Sequence, residues 1–155
     1  MTLTIYGITR SRANRTLWLA EELGIPYERV LIAQKDTGGS AELKRLNPFA
    51  HIPAIEDEGL GLFESLAINL YLAKKHGGPL APKDVREDGL MTMWTLWAGG
   101  DVEPHSIQVL YNLVAKPPAE RDAKLAASSI EALKRPFATL DKHLAANGGH
   151  IVGGR

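Results

Sequence analysis

The chain has 155 residues and a formal net charge of zero, since 18 basic side chains balance 18 acidic ones. That balance gives no electrostatic argument for binding to nucleic acid or to an anionic membrane. The sequence has no cysteine, which excludes disulfides, thiolate metal sites and a cysteine nucleophile. Any thiol chemistry must therefore use a thiol that a ligand brings. No apolar run approaches the roughly 18 residues of a membrane span, and no signal segment precedes the first predicted strand, so we expect a cytoplasmic protein.

The first quarter of the chain predicts a strand–helix–strand unit. Leu3–Tyr6 is the first strand, and Ala13–Leu23 is a helix that ends where Gly24 and Pro26 favour a stop. Tyr27–Ile32 is the second strand. A unit of this kind usually forms a parallel pair of strands with a right-handed crossover.

A loop, a short capped helix, a hairpin and a buried helix are predicted next. The hairpin is indicated by two short strands around a turn, and the last helix is apolar on most sides. These elements are, in chain order, Gln34–Gly39, Ser40–Leu46, Ala54–Glu56 with Gly61–Phe63, and Leu66–Lys75.

The second half of the chain predicts only helices. Residues 78–88, with two prolines, are predicted as a linker between residues 1–77 and an all-helical domain over residues 89–155. Leu90–Val114 is helical with interruptions at a Gly-Gly pair and a proline. The last helix has an apolar face at alternating steps of three and four, and Pro136 is expected to kink or divide it. That face comprises Ile130, Leu133, Phe137, Leu140 and Leu144.

Two short segments carry the chemistry. In Asn47–Ile55, Pro53 cannot donate a ladder hydrogen bond, and a cis Ile52–Pro53 bond would turn the N–H and C=O of Ile52 outward to pair with a guest peptide. Further on, Glu64 and Ser65 open a helix whose free N–H groups and positive dipole end favour a carboxylate. A peptide-pairing edge beside a carboxylate-binding helix start indicates a site for a small, anionic, extended peptide.

These segments resemble the N-terminal domain of glutathione S-transferases, whose pattern is N-P-x-G-x-[VI]-P-x-L followed by [LF]-x-E-S-x-A-I. Here they are Asn47-Pro48-Phe49-Ala50-His51-Ile52-Pro53-Ala54-Ile55 and Leu62-Phe63-Glu64-Ser65-Leu66-Ala67-Ile68. Ala50 replaces the usual glycine, and His51 stands where glutamine or lysine is commoner. The resemblance implies an α/β thioredoxin-like N-terminal domain (βαβ-α-ββα), an all-α C-terminal domain and a homodimer.

The resemblance also implies a glutathione site. Glu64 would accept from the ligand's ammonium group, and Ser65 with its backbone N–H would donate to the γ-glutamyl carboxylate. Ile52, before Pro53, would pair with the cysteinyl unit, and His51 would face the glycine carboxylate. Helix capping by Glu64 and Ser65 and a plain surface role for the histidine are the alternatives. Further cations that could serve the glycine carboxylate are Lys35 and Lys44.

The thiolate donor remains open among three hydroxyls near the end of the first strand. A free thiol is only about 3% ionised at pH 7, and a hydroxyl that donates to the sulfur raises this fraction. We favour Ser11, which resembles the serine of the family's serine-type, bacterial-like branch, although it could be an ordinary helix N-cap. Thr9 is second, and Tyr6 is last because it should lie inside the strand. Other polar groups within reach are Arg12 and Asn14.

We therefore expect a glutathione transferase that directs the thiolate at a hydrophobic electrophile, with peroxide reduction or disulfide exchange as variants. The electrophile pocket should lie between the domains, with Trp97, His105 and Tyr111 as candidates or as plain core residues. The five histidines show no metal-ligand spacing, so we expect no metal. The alternative is an inactive, transferase-like binding or scaffold module.

The resemblance also predicts an omission. Members usually continue past a Leu-Val-Gly stretch into further helices, whereas here residues 150–155 stop just before them. We therefore expect an incomplete second domain with one bare apolar face, in a fragment or in a chain that depends on a partner.

Overall fold

The computed structural model describes residues 2–154. The chain divides into two compact units, Met1–Ala81 and Pro82–Arg155, and each is considered by itself. No helix in the described part is both long enough and apolar enough to cross a membrane.

The first unit contains a mixed sheet of four strands in the order β2-β1-β3-β4. The strands β1 and β2 are parallel, while β3 is antiparallel to both β1 and β4. This arrangement confirms the predicted thioredoxin-like fold class. The strands are β1 (Leu3–Tyr6), β2 (Tyr27–Val30), β3 (Ala54–Asp57) and β4 (Leu60–Phe63).

Helices cover both faces of this sheet because the side chains of its strands alternate between the faces. One core cluster lies under α1 and α3, where Ile5 and Ile55 are fully buried. The other lies under α2 and includes Tyr6 and Ala54. The helices are α1 (Ala13–Leu23), α2 (Ala41–Leu46) and α3 (Ser65–His76).

The start of α2 agrees with the sequence prediction. The Ser40 Oγ accepts from the N–H of Leu43 at 3.1 Å, which satisfies one of the unpaired groups of the first turn. The preceding stretch, Gln34–Gly39, was predicted as a loop, and it forms a 3-10 helix. The second strand is shorter than predicted because it ends at Val30 rather than at Ile32.

A buried carboxylate holds α3 against the β3–β4 hairpin. Asp57 accepts from the Tyr71 hydroxyl at 2.9 Å and from the Lys75 ammonium at 2.7 Å. Burial alone would raise the pKa of Asp57, but the hydrogen bonds from Lys75 and Tyr71 outweigh burial and hold that pKa below its usual value. The hairpin and the helix that follows it are thereby fixed to each other, which positions the start of α3.

The second unit is helical, with α4 (Val85–Trp97), α5 (Glu103–Leu110) and α6 (Ala123–Ala146). The predicted interruption near the Gly-Gly pair is a π-helical turn over Ala98–Val102. A second π-helical turn over Tyr111–Ala115 follows α5. The stretch 78–88, predicted as a linker, contains a 3-10 turn over Gly78–Leu80 and the first residues of α4.

The helix α6 is continuous, and its buried face differs from the predicted one. It runs through Pro136 without being divided, since a proline removes one ladder hydrogen bond and the rest of a 24-residue helix packed on α5 remains. Its buried face comprises Ala126, Ser129 and Leu133. Of the predicted apolar face, Ile130 and Phe137 are instead exposed.

Candidate functional site

The start of α3 offers unpaired backbone donors. The first hydrogen bond of the helix runs from the N–H of Ile68 to the carbonyl of Glu64 at 2.9 Å. The N–H groups of residues 65–67 therefore precede the ladder, and none of them has a backbone acceptor in the described part of the chain. With the positive end of the helix dipole, this region favours an anion.

Glu64 occupies the N-cap position of α3 in an uncommon backbone conformation, with φ of 70° and ψ of 106°. Such a conformation costs a non-glycine residue about 1–3 kcal/mol and is commonly found at ligand sites. The side chain makes no capping hydrogen bond. Its carboxylate is exposed and has no hydrogen bond or ion pair with any residue between 2 and 154. Glu64 therefore occupies the cap position of α3 without capping it through its side chain.

Ser65 is the first residue of α3 and is only 4% exposed. Its Oγ lies 3.3 Å from Nη1 of Arg15, on α1. An arginine can only donate, so the serine oxygen is the acceptor in this contact.

The loop before β3 places Ile52 and Pro53 at the edge of the core. The peptide bond between them is cis. No hydrogen bond within the described part of the chain uses the N–H or C=O of Ile52. Buried Asn47 holds this loop, since its Nδ2 donates to the His51 carbonyl at 2.9 Å and its Oδ1 accepts from the N–H of Phe49 at 3.0 Å.

Ala50, in the same loop, has a φ of 53°. This left-handed conformation is one that glycine adopts without cost. It gives a physical reason for the glycine that the family pattern has here.

Ser11 lies one residue before the cap of α1, which is Arg12. Its hydroxyl donates to the carbonyl of Ile8 at 2.6 Å and accepts from the N–H of Ala13 at 3.1 Å. The serine therefore satisfies one N–H of the first turn although it is not the cap residue itself. Its proton currently points to a backbone carbonyl, so donation to a thiolate requires the hydroxyl to rotate.

The other two candidate hydroxyls lie in different environments. Tyr6 is 2% exposed and its hydroxyl donates to Oε1 of Glu42 at 2.7 Å. Burial, reinforced by this hydrogen bond, raises the pKa of Tyr6 to about 12. Thr9 is exposed in the turn after β1.

Gly7 is the point where the start of α1 meets the loop of Ile52. A Cβ added at this glycine would lie 2.7 Å from the Cβ of Ala13 and 3.3 Å from the Cβ of Ile52. Its φ of 140° also disfavours other residues. Only a glycine permits this approach of two segments that both carry candidate site residues. The sequence analysis missed Gly7, although a glycine directly after a strand was the available signal.

A hydrogen-bond network joins α1 to α3. The Thr16 hydroxyl donates to Oδ1 of Asn69 at 3.0 Å, and Nδ2 of Asn69 donates to the carbonyl of Arg15 at 3.3 Å. Thr16 is fully buried. The helices that begin near Ser11 and at Ser65 are thereby held in fixed register. Polar residues on the apolar face of α1 were the only sequence signal for this network.

The remaining predicted residues are less closely tied to the site. His51 is exposed, with its ring 6.4 Å from that of Phe49. In the second unit, Trp97 packs edge-on against Trp94 at 5.1 Å between ring centroids. The remaining candidates are the half-buried His105 and five exposed residues, namely Lys35, Lys44, Arg12, Asn14 and Tyr111. The backbone N–H of Asn14 donates to the carbonyl of Ser11 at 3.1 Å. Among residues 2–154, no group of three or more histidine and carboxylate side chains is arranged to hold a metal ion.

Comparison with known proteins identifies relatives of the whole chain. The model of the glutathione S-transferase N-terminal domain family matches residues 1–74. Glutathione S-transferase GstB of Escherichia coli K12 is 30% identical over 148 residues, which are 92% of this chain and 71% of that protein. Glutathione S-transferase 3 of Schizosaccharomyces pombe is 28% identical over 104 residues, 66% of this chain and 43% of that protein. The chain thus spans from under half to about seven tenths of the length of these relatives.

Solved structures give the same result. The theta class glutathione S-transferase of Xanthomonas axonopodis pv. citri, solved with glutathione bound, superposes with a TM-score of 0.82. It is 29% identical, and the match covers 99% of this chain and 75% of that one. The identity and coverage of GstB, the domain match and the shared fold all agree. The chain belongs to the glutathione S-transferase family.

Proposed function

We propose that this chain binds glutathione in its first unit. Glu64 accepts from the γ-glutamyl ammonium group, while Ser65 and the free N–H groups at the start of α3 bind the γ-glutamyl carboxylate. The observation that carries the proposal is the strained Glu64 backbone, which holds an unpaired carboxylate directly beside unpaired helix donors. The glutathione bound in the Xanthomonas structure supports the same ligand.

The rest of the peptide would extend along the loop before β3. The unbonded N–H and C=O of Ile52 offer the cysteinyl unit the pairing that a strand edge gives. Pro53 leaves no N–H to compete for that pairing. His51, exposed on the same loop, serves the glycine carboxylate, with Lys35 or Lys44 as further cations.

We infer that the bound thiol is activated by Ser11, as in the serine-type, bacterial-like branch of the family. Lowering the thiol pKa by about two units makes the thiolate the main species at neutral pH, which takes roughly 1.4 kcal/mol per unit. A hydroxyl donor and the start of α1 both favour the charged sulfur. The thiolate then attacks a hydrophobic electrophile, with peroxide reduction or disulfide exchange as variants.

The assembly and location are part of the same proposal. We infer a homodimer in the cytoplasm, in which residues 1–77 form the glutathione-binding domain, residues 78–88 the linker and residues 89–155 the helical domain. The electrophile would bind near Trp97, His105 or Tyr111.

One observation favours a second function, a glutathione-binding module without catalysis. The proton of Ser11 is already donated to Ile8 at 2.6 Å, which is a short hydrogen bond. If that bond persists in the complex, the sulfur receives no hydrogen bond from Ser11, and the serine does not lower the pKa of the thiol.

An ultraviolet titration of the glutathione complex separates these two functions. Thiolate absorbance is followed against pH for the wild type, for Ser11→Ala and for Thr9→Ala. A bound thiol pKa well below the free value, restored by Ser11→Ala and unaffected by Thr9→Ala, supports activation by Ser11. A lowered pKa that only Thr9→Ala restores moves the role to Thr9. An unshifted pKa in a complex that clearly forms supports the binding module.

Calorimetric titration tests the role of Glu64. Glu64→Ala should weaken glutathione binding by more than about tenfold, which corresponds to roughly 1.4 kcal/mol. Glu58→Ala is the matched control, since Glu58 is also an exposed glutamate at positive φ, on the hairpin turn. Equal affinities for the wild type and Glu64→Ala would contradict the assigned role.

A further inference from the structure

Arg15 is the side chain that reaches from α1 to the start of α3. Its Nη1 lies 3.3 Å from Oγ of Ser65, and its carbonyl accepts from Asn69 at 3.3 Å. Ser65 and Asn69 are four residues apart and so lie on the same face of α3. Arg15 is therefore held to that face at two points, once through its backbone and once through its guanidinium group.

This contact determines how Ser65 can be used. A serine hydroxyl has one proton and two lone pairs, and the arginine N–H occupies a lone pair. The proton of Ser65 has no acceptor among the residues that the structure describes, and the side chain is buried. A buried donor without an acceptor is costly, which favours a ligand acceptor at this point.

The positive charge of Arg15 also favours an acceptor from the ligand at this point. A guanidinium group is always protonated, so Arg15 places a cationic group beside the partial positive charge of the helix start. Both effects favour a carboxylate as the group that takes the Ser65 proton.

We propose that Arg15 is a positioning residue for the γ-glutamyl carboxylate of glutathione, acting through the Ser65 hydroxyl. By occupying the acceptor side of that hydroxyl, it orients the single proton toward the ligand. This inference rests on the proposed function, because it assumes that glutathione occupies the start of α3. It distinguishes the two charged groups on the α-carbon of the γ-glutamyl residue, with Arg15 serving the carboxylate and Glu64 the ammonium group.

Two glutathione analogues test this division. In 4-aminobutyryl-Cys-Gly the γ-glutamyl carboxylate is missing and the ammonium group remains, whereas in glutaryl-Cys-Gly the ammonium group is missing and the carboxylate remains. Dissociation constants for glutathione and both analogues are measured by calorimetry for the wild type, Arg15→Met and Arg15→Lys. Arg10→Met controls for the loss of an exposed positive charge from the loop before α1.

Arg15→Met should weaken binding of glutathione and of glutaryl-Cys-Gly by about tenfold, while binding of 4-aminobutyryl-Cys-Gly changes by less than about twofold. Arg15→Lys should retain part of the affinity, and Arg10→Met should behave as the wild type. Equal losses for all three ligands would mean a purely structural role and overturn the proposal, as would unchanged affinities. If Arg15→Met does not fold, the same comparison with Arg15→Lys decides.

The same measurements test the proposed function independently of the role of Arg15. If the wild type does not bind glutathione, the proposed function is wrong whatever the variants do. If the wild type binds glutathione but binds 4-aminobutyryl-Cys-Gly equally well, glutathione binding stands and the role of Arg15 is overturned.

Discussion

The buried hydroxyl of Tyr6 gives a sharp prediction about both stability and catalysis. Burial and the hydrogen bond to Glu42 raise its pKa from 10.0 to about 12. Between these values the unfolded chain has lost the phenolic proton and the folded chain still holds it. Stability therefore falls as the pH rises through this interval, because the unfolded state binds fewer protons. At about 1.4 kcal/mol per pH unit, the titration of Tyr6 alone lowers the stability of the wild type by roughly 3 kcal/mol across the interval.

Tyr6→Phe lacks this titration. At pH 8 the variant should be less stable than the wild type by about 0.5–1.5 kcal/mol, because it loses one hydrogen bond and leaves the exposed Glu42 to water. The two stabilities should then converge as the pH rises and cross between about pH 10 and 11, where the loss in the wild type equals that deficit. Urea unfolding followed by circular dichroism at pH 8, 10, 11 and 11.5 measures the difference.

Two results would refute this reasoning. A stability difference that stays constant with pH would mean that Tyr6 does not keep its proton in the folded state. The second result concerns catalysis. Tyr6→Phe should leave the pKa of the bound thiol unchanged. A rise in that pKa would make Tyr6 the thiolate donor. Tyr111→Phe, which removes an exposed hydroxyl from the second unit, is the control for losing a phenol group.

Three further substitutions test the backbone around the site. Gly7→Ala should destabilise the fold by at least about 2 kcal/mol, since its Cβ would lie 2.7 Å from that of Ala13 at a φ of 140°, and a lowered urea midpoint would show it. Ala50→Gly should stabilise the protein by about 0.5–1 kcal/mol because it removes a left-handed alanine; a loss of stability would contradict this. Ser40→Ala should cost about 1 kcal/mol through the lost cap on Leu43, whereas Ser40→Asp should retain most of the stability.

The sequence predicted most reliably those elements whose ends have local chemical signals. The bounds of α1 agree because Gly24 adopts the left-handed conformation that ends the helix, and those of α2 agree because Ser40 caps it. Where no such signal exists, the observed structure differs from the predicted one. The second strand lost two residues, and the buried face of α6 differs from its apolar pattern, since the packing of that helix on α5 is decided by residues distant in sequence.

The candidate site shows the same limit. The motif residues Glu64, Ser65 and Ile52 could be proposed from the sequence because the resemblance lies in consecutive segments. Arg15 gave no such signal, and Gly7 gave only that of a glycine after a strand, because their roles depend on contacts with residues 45 or more positions away in the sequence. A resemblance identifies which residues touch a ligand, whereas the residues that position them emerge only from the folded contacts.

The hydrogen bond between Ser11 and Ile8 has a consequence for selectivity between the two forms of a bound thiol. The serine has one proton, so a sulfur atom must compete with the Ile8 carbonyl for it. A neutral thiol is a weak acceptor and loses that competition, whereas a thiolate is charged and wins it. The Ser11 hydroxyl thus donates to the Ile8 carbonyl while the thiol is neutral, and it donates to the sulfur only after the sulfur has ionised. Under the proposed function, the Ile8 carbonyl therefore makes Ser11 stabilise the bound thiolate without stabilising the bound neutral thiol.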